Sequence, residues 1–343
     1  MNDPDNVVTM PPPRPDRNPP GTSNPTSPVL KRALLVFISF AIGFGLFACL
    51  RPLDLLFTVI QIKLRLDGIK SEFVSIDGHR IHYYAGGSGP PIVLVHGLGG
   101  RAEDWANLMP QLVRGGHRVF ALDLLGFGRS ARPRDAAYSI SEEAGIVEKF
   151  VAAQNLDRID LAGWSMGGWI AMRIALDEPE HVRRLAGYDS AGLRYDVPFD
   201  TSLFWPDDSA KLATLRDLLS PAGAPPIPAL IERDILRVTR RNGWIVQRSM
   251  QSMLTGADLL DGKLAALKMP VLIVWGKQDK ITPVAVGYAI HAQVPQSVLE
   301  IYDGCGHLAA RECSDRIGPN TVTFFNAEPP LAPEIEEIPA GIK

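Results

Sequence analysis

The sequence has few cysteines, little net charge and none of the short motifs that bind common cofactors. Its three cysteines, Cys49, Cys305 and Cys313, are too few for a disulfide framework and lack the spacing of a zinc site. They therefore indicate little about the redox compartment, and Cys305 is interpreted as a small turn residue rather than a redox switch. The net charge of −3, without a concentrated basic stripe in the soluble part, argues against nucleic-acid binding. Phosphate-loop, dinucleotide and metal-site signatures are absent, so we expect no cofactor.

The chain has the composition of a large folded domain preceded by a segment of another kind. Its 343 residues, 46% hydrophobic and 21% charged, are enough to bury a sizeable core, and no internal repeat is visible. Nine of the first 32 residues are proline, and few residues there could join a core. Residues 1–32 are therefore predicted to be a disordered, partly extended spacer.

An uncharged apolar run follows this spacer directly. Residues Ala33 to Leu50 include no charged side chain, and as a helix they would be about 27 Å long, close to the hydrocarbon thickness of a bilayer. The run lies too far from the N-terminus for an ordinary cleaved signal peptide. The sequence predicts an uncleaved, single-pass N-terminal anchor in a membrane. Basic residues flank the run on both sides, so the side of the membrane stays undetermined.

Residues 51–70 form a transitional segment that carries both apolar and basic side chains. The apolar residues recur at helical spacing beside two basic ones (Leu53, Leu56, Ile60, Leu64; Lys63, Arg65). This pattern predicts an amphipathic helix, and two interpretations stay open. The helix would lie at the membrane interface, or it would be a linker packed on the domain that follows.

From Ser71 onward, short apolar runs alternate with helix-like stretches. The first two runs, SEFVSI and HRIHYYA, are joined by Asp77-Gly78 and predict a β-hairpin. Six further apolar runs are separated mostly by helical patterns, which predicts an α/β fold with a mostly parallel sheet covered on both faces. We expect a core over residues 71–193, a helical cap insertion over 194–268, and the rest of the core with a C-terminal tail over 269–343.

Polar motifs follow four of the predicted strands at their carboxyl ends, where such sheets bind ligands. The pentapeptide GWSMG places Ser165 between glycines at a strand-to-helix turn. The glycine-rich HGLGG follows an earlier strand, Asp279 follows a later one, and His307 follows the eighth predicted strand. A histidine can take the proton of a serine, and a carboxylate can orient that histidine. Ser165, Asp279 and His307 are therefore the candidate nucleophile, acid and base.

Taken together, these motifs resemble the α/β-hydrolase superfamily, whose catalytic residues occur in the chain order serine, acid, histidine. The resemblance covers roughly residues Phe73 to Phe325. It implies an α/β-hydrolase fold and an oxyanion hole formed by the backbone N–H groups of Leu98 and Met166. Asp123, in the segment DLLGFGRS, is interpreted as structural. Serine stands where dehalogenases and epoxide hydrolases of this superfamily carry aspartate, which indicates acyl transfer to water.

Several nearby residues are rivals for these roles. Asp189 follows the strand after the nucleophile, where some family members carry their acid, but the fuller motif WGKQDKITP favours Asp279. His96 is interpreted as a structural hydrogen-bond partner of the oxyanion loop. Trp164 and Trp169 are interpreted as packing residues that the chemistry does not need.

The functional hypothesis comes from the predicted anchor, from the turn at Ser165 (the nucleophile elbow) and from the predicted cap. The cap carries apolar residues, typical of a core, that would also suit an acyl chain (Phe199, Phe204, Trp205, Trp244, Met250, Met253). The anchor, HGLGG before EDW and the GWSMGG elbow look like membrane-bound monoacylglycerol lipases and related bacterial lipases. A membrane-anchored serine hydrolase that cleaves carboxylic esters, lipid or monoacylglycerol-like, is the leading hypothesis.

Two alternatives stay open. The first is a carbon–carbon bond hydrolase of ring-cleavage products; such relatives usually carry tryptophan after the catalytic histidine, where this chain has Leu308. The second is a binding protein with the same fold and no catalytic activity. The natural substrate and the oligomeric state are not determined by the sequence.

Overall fold

The computed structural model describes residues 10–12 and 28–341. Most of the spacer predicted over residues 1–32 therefore lies outside the described residues. The chain divides into two units, Met1–Ala48 and Cys49–Lys343. In the first unit a helix, α1 (Pro28–Leu50, continuing into the second unit), begins before the predicted start at Ala33, and most of its described side chains are exposed.

The structure does not show the predicted single-pass anchor. Judged by length and composition, no single helix within residues 10–12 and 28–341 qualifies as membrane-spanning. Leu35–Leu50 and Pro52–Leu66 qualify only jointly, as a bent pair.

The second unit is built on one mixed sheet, to which the described residues contribute nine strands: β1 (Lys70–Ile76), β2 (His79–Gly87), β3 (Pro91–Val95), β4 (Arg118–Leu122), β5 (Ile159–Trp164), β6 (Val182–Tyr188), β7 (Val271–Gly276), β8 (Val298–Tyr302) and β9 (Glu334–Ile338). Their order across the sheet is β1-β2-β4-β3-β5-β6-β7-β8-β9. β2 pairs antiparallel with β1 and with β4, and all other neighbours are parallel. The predicted, mostly parallel α/β sheet is confirmed.

Nine further helices belong to the described part of this unit: α2 (Pro52–Leu66), α3 (Met109–Arg114), α4 (Ile140–Ala153), α5 (Met166–Asp177), α6 (Ser209–Leu219), α7 (Ala229–Leu254), α8 (Val284–Gln293), α9 (Ala309–Glu312) and α10 (Ser314–Asn326). The strands bury both faces because their alternate residues enter two different cores. In β3, Val93 and Val95 join one core with α4, α5 and α8. Ile92 and Leu94 join the other, with α2, α3 and α10.

Helix α2 packs on the rest of the second unit. Leu64 is fully buried, and the backbone N–H of Leu53 donates to the carboxylate of Asp234 at 3.1 Å. The guanidinium of Arg101 lies 3.6 Å from the centre of the Phe57 ring. One face of α2 is thus fixed to the domain.

The ninth strand was not predicted, because it lies in the segment expected to be a C-terminal tail. Its sequence, EIEEI, is short and acidic and follows a proline-containing stretch, so it lacks the usual strand signature. It pairs in parallel with β8 at one edge of the sheet. Charged side chains on an edge strand discourage pairing with other chains.

Candidate active site

The turn between β5 and α5 forces Ser165 into an unusual backbone conformation. Ser165 has φ 56° and ψ −118°, a region that non-glycine residues rarely adopt. The two glycines of the pentapeptide are required by close packing. A Cβ atom on Gly163 would lie 2.0 Å from the carbonyl oxygen of Gly167, and one on Gly167 would lie 2.1 Å from that of Val95. The GWSMG spacing is therefore a steric requirement of this turn.

The structure brings the three candidate side chains together from three different strand ends. Nε2 of His307 lies 2.9 Å from Oγ of Ser165, and Nδ1 of His307 lies 2.8 Å from Oδ2 of Asp279. With Nδ1–H donating to the carboxylate, Nε2 is left to accept the serine hydroxyl proton. This is the arrangement that general-base activation of a serine requires.

The carboxylate of Asp279 is held by several donors. The backbone N–H groups of Ile281 and Thr282 donate to Oδ1 at 2.8 and 3.0 Å. The Thr282 hydroxyl lies 2.7 Å from Oδ2. Asp279 is only 7% exposed, so these donors replace the hydrogen bonds that water would otherwise make to its carboxylate.

The rival carboxylate, Asp189, occupies a different environment. It is fully buried at the end of β6, where it accepts a hydrogen bond from the backbone N–H of Gly276 at 2.7 Å. Burial raises its pKa well above the ordinary value, and the neighbouring charge of Asp279 raises it further. Asp189 makes no hydrogen bond to His307 in the described structure.

The turn that carries His307 has two anchors that the sequence did not suggest. The indole N–H of Trp164 donates to the carbonyl oxygen of His307 at 2.7 Å, so this tryptophan positions the candidate base instead of only filling space. Cys305 forms a disulfide with Cys313, the residue that precedes α10. The interpretation of Cys305 as a simple turn residue is therefore wrong: the bond ties the histidine turn to a helix.

The residues predicted to supply the oxyanion donors lie beside Ser165. Leu98 and Met166 both line the cavity beside Ser165, and neither backbone N–H makes a hydrogen bond within the described residues. His96 supports this loop from behind: its Nε2 accepts from the Leu124 N–H at 3.0 Å, which leaves Nδ1–H to donate to the Gly97 carbonyl at 2.7 Å. Burial lowers the pKa of His96, in keeping with a neutral, structural ring.

This geometry agrees with comparisons to known proteins. A family model described as alpha/beta hydrolase fold matches residues 90–226. An uncharacterised protein of Mycobacterium tuberculosis is 30% identical over 258 residues, 69% of this chain and 75% of that protein. The chain belongs to the α/β-hydrolase superfamily.

Two other similar proteins differ in the activities that their names state. The 2-hydroxymuconate semialdehyde hydrolase of a Pseudomonas strain is 29% identical over 269 residues, 73% of this chain and 92% of that enzyme. The crystal structure of a membrane phospholipase A is similar with a TM-score of 0.73 at 26% identity, covering 87% of this chain and 99% of the other. Both are hydrolases.

A cavity of about 180 Å³ opens beside Ser165 in this α/β hydrolase. Large apolar side chains from the cap and from the strand ends near Ser165 line it: Trp169, Val197, Phe199, Phe204, Met250, Met253, Leu254, Leu259 and Ile281. Four of the six cap residues singled out in the sequence are among them, whereas Trp205 and Trp244 are not. Trp169, interpreted above as a core residue, is buried and also faces this cavity.

The hydrolase contains a second serine–histidine–aspartate set away from this cavity. Nε2 of His82 lies 2.9 Å from Oγ of Ser71, and its Nδ1 lies 2.7 Å from the buried carboxylate of Asp123. Here Asp123 also accepts the backbone N–H groups of Ala102 and Arg129, at 2.7 and 2.8 Å. These are the contacts expected of a residue that holds its loop, and we assign this set a structural role.

The same substitution, aspartate to asparagine, should affect kcat differently at Asp279 and at Asp189. Asp279→Asn should lower kcat for ester hydrolysis by a factor on the order of 10³–10⁴, because the amide would favour the wrong tautomer of His307. Asp189→Asn should lower it less than about tenfold, since Asp279 and not Asp189 contacts Nδ1 of His307 in the described structure. Steady-state kinetics on both folded variants measures this ranking, and the reverse ranking would show that Asp189 is the acid.

Proposed function

We propose that this α/β hydrolase is a membrane-anchored serine hydrolase that cleaves carboxylic esters with apolar acyl chains. The observation that carries the proposal is the opening of Ser165, hydrogen-bonded to His307, into an apolar cavity. Ser165, Asp279 and His307 are the proposed catalytic residues. The backbone N–H groups of Leu98 and Met166 are the proposed oxyanion donors.

The reaction follows from this geometry in two halves. Ser165 Oγ attacks the ester carbonyl while His307 Nε2 takes its proton, and the two backbone N–H groups stabilise the oxyanion. His307 then gives the proton to the leaving alcohol, which leaves an acyl group on Ser165. In the second half His307 takes a proton from water, and the resulting hydroxide attacks the acyl-enzyme. The collapse releases the acid, and the proton returns to Ser165.

The cavity supports an acyl substrate more than a charged ring-cleavage product. Arg194, an exposed residue, supplies the one charged side chain in the described lining. A substrate carboxylate could pair there only with Arg194; anywhere else in this apolar space it would be a buried charge without a partner, which is costly. An aliphatic acyl chain, in contrast, gains from leaving water by about 0.8 kcal/mol for each methylene.

Membrane attachment is proposed on two grounds. First, helix α1 exposes a nearly continuous set of large apolar side chains. Second, the similar phospholipase A is described as a membrane protein. The disulfide between Cys305 and Cys313 further suggests that the catalytic domain lies on an oxidising side of that membrane, because disulfides persist in such compartments.

An ester series tests the chemistry. We expect kcat/KM on p-nitrophenyl esters to rise with acyl length, by at most roughly fourfold per methylene, until the cavity is filled. Ser165→Ala should abolish this activity, while Ser71→Ala, the matched control, should retain it within about twofold because Ser71 lies outside the catalytic set. Faster turnover of a dienoic ring-cleavage product than of any ester would favour the carbon–carbon hydrolase instead.

Carbonate extraction of membranes tests the anchor. The full-length protein should stay in the membrane pellet, because the apolar side chains of α1 would be buried in lipid. A Phe40→Lys/Ile42→Lys variant should be extracted, since two charges in the middle of the run oppose insertion. The matched Phe40→Leu/Ile42→Leu variant should remain in the pellet. Extraction of the unsubstituted protein would contradict a spanning helix.

A further inference from the structure

Two hydroxyl groups in the lining of the cavity beside Ser165 have no partner among the described residues. Four hydroxyl-bearing side chains line this cavity, and the hydroxyl groups of Ser165 and Thr282 are bonded to members of the candidate triad. The hydroxyl groups of Tyr195 and Thr201 make no hydrogen bond to any described residue, and both residues are half-buried. Their oxygen atoms keep accessible surface, so each can still bond to a group from outside the protein.

The cap segment that carries these two residues alternates between cavity and solvent. The odd-numbered residues from 195 to 201 line the cavity, whereas the even-numbered residues between them are exposed and do not. This is the period of an extended chain, in which successive side chains point to opposite sides. Tyr195 and Thr201 stand at the two ends of the segment, with Val197 and Phe199 between them. The backbone thus aims the Tyr195 side chain into an otherwise mainly apolar wall.

Tyr195 also lies near the candidate acid. Burial raises the pKa of Tyr195, and the nearby charge of Asp279 raises it further. The phenol therefore stays protonated at neutral pH, and its hydroxyl is a hydrogen-bond donor close to the reacting groups.

Few atoms of a bound ester could accept this hydrogen bond. The acyl chain has no acceptor, and the carbonyl oxygen would be bound by the proposed oxyanion donors, the N–H groups of Leu98 and Met166. The alkoxy oxygen receives the proton of His307 as the alcohol leaves. What remains is a further oxygen on the alcohol, such as a neighbouring hydroxyl group.

The cost of leaving a hydroxyl unpaired favours such an alcohol. An alkyl group bound against Tyr195 would displace water from the hydroxyl and give it no partner, which is costly. An alcohol with an acceptor at this position avoids that cost. For the same reason, sites that bond to a substrate hydroxyl discriminate against analogues that lack it.

We propose that Tyr195 recognises the alcohol portion of the ester by donating a hydrogen bond to a hydroxyl oxygen beside the scissile bond. The enzyme would thereby prefer esters of polyhydroxy alcohols, such as glycerol, to esters of simple alkanols. Tyr195 contacts the substrate but takes no part in proton transfer, so its role is specificity. The proposal rests on the ester chemistry proposed above and not on membrane attachment.

Two pairs of ligands test this role, each pair with the same apolar part and with or without the hydroxyl groups. The esters 1-butanoylglycerol and propyl butanoate report turnover. The ethers 1-O-hexylglycerol and hexyl propyl ether cannot be hydrolysed, so they report binding alone, measured by titration calorimetry. The full-length protein in nanodiscs is compared with Tyr195→Phe. The matched control, Tyr288→Phe, removes the same oxygen from an exposed tyrosine on α8, outside the cavity lining.

We expect Tyr195→Phe to lower kcat/KM for 1-butanoylglycerol by roughly five- to tenfold, the effect of one neutral hydrogen bond, and mainly through KM. The Kd of 1-O-hexylglycerol should rise by about the same factor. The values for propyl butanoate and hexyl propyl ether should change less than about twofold, and the control should change none of the four by more. The Tm should stay the same, because this hydroxyl has no partner within the described protein.

An equal loss on both members of a pair would overturn the proposal, since Tyr195 would then support the cavity instead of recognising the alcohol. Unchanged values for both glycerol compounds would overturn it as well. If the unsubstituted protein hydrolyses neither ester, the ester chemistry fails, and the ethers alone decide the role of Tyr195. A loss confined to 1-O-hexylglycerol would then support that role, and its absence would contradict it.

Discussion

The site depends on the backbone turn at Ser165. With φ at 56°, the chain leaves β5 and enters α5 within one residue, and only the glycines two positions away on each side allow it. The same turn places three groups at once. It exposes the serine hydroxyl, leaves the N–H of Met166 at the start of a helix, and directs the Trp164 indole to the carbonyl of His307. A change in this turn would therefore displace the Ser165 hydroxyl, the N–H of Met166 and the support of the His307 carbonyl together.

Two carboxylates near this turn, Asp279 and Asp189, differ in the groups that surround them. Asp279 and Asp189 are both buried and lie close enough for their charges to interact. Asp279 accepts two backbone N–H groups and contacts Nδ1 of His307. Asp189 makes no hydrogen bond to His307 in the described structure, and burial raises its pKa well above the ordinary value. Of the two carboxylates, Asp279 is therefore the one placed to orient the ring of His307.

Much of the fold could be predicted because the alternation of apolar strands and helical patterns is local in the chain. The positions of Ser165, Asp279 and His307 were predictable for the same reason, since each follows its strand directly. The contacts that depend on three-dimensional packing could not be predicted. They include the hydrogen bond from the Trp164 indole to the His307 carbonyl and the disulfide between Cys305 and Cys313. The strand β9 was missed because pairing with β8, and not its acidic sequence, makes it a strand.

Covalent labelling can decide which serine is the nucleophile, because Ser71 and Ser165 are each hydrogen-bonded to a histidine–aspartate pair. The full-length protein would be treated with an alkyl fluorophosphonate, and peptide mass spectrometry would locate the phosphonyl group. We expect one adduct per chain, on Ser165, because the cavity and the N–H groups of Leu98 and Met166 lie beside that serine. Labelling of Ser71, or no labelling of a folded protein, would contradict it.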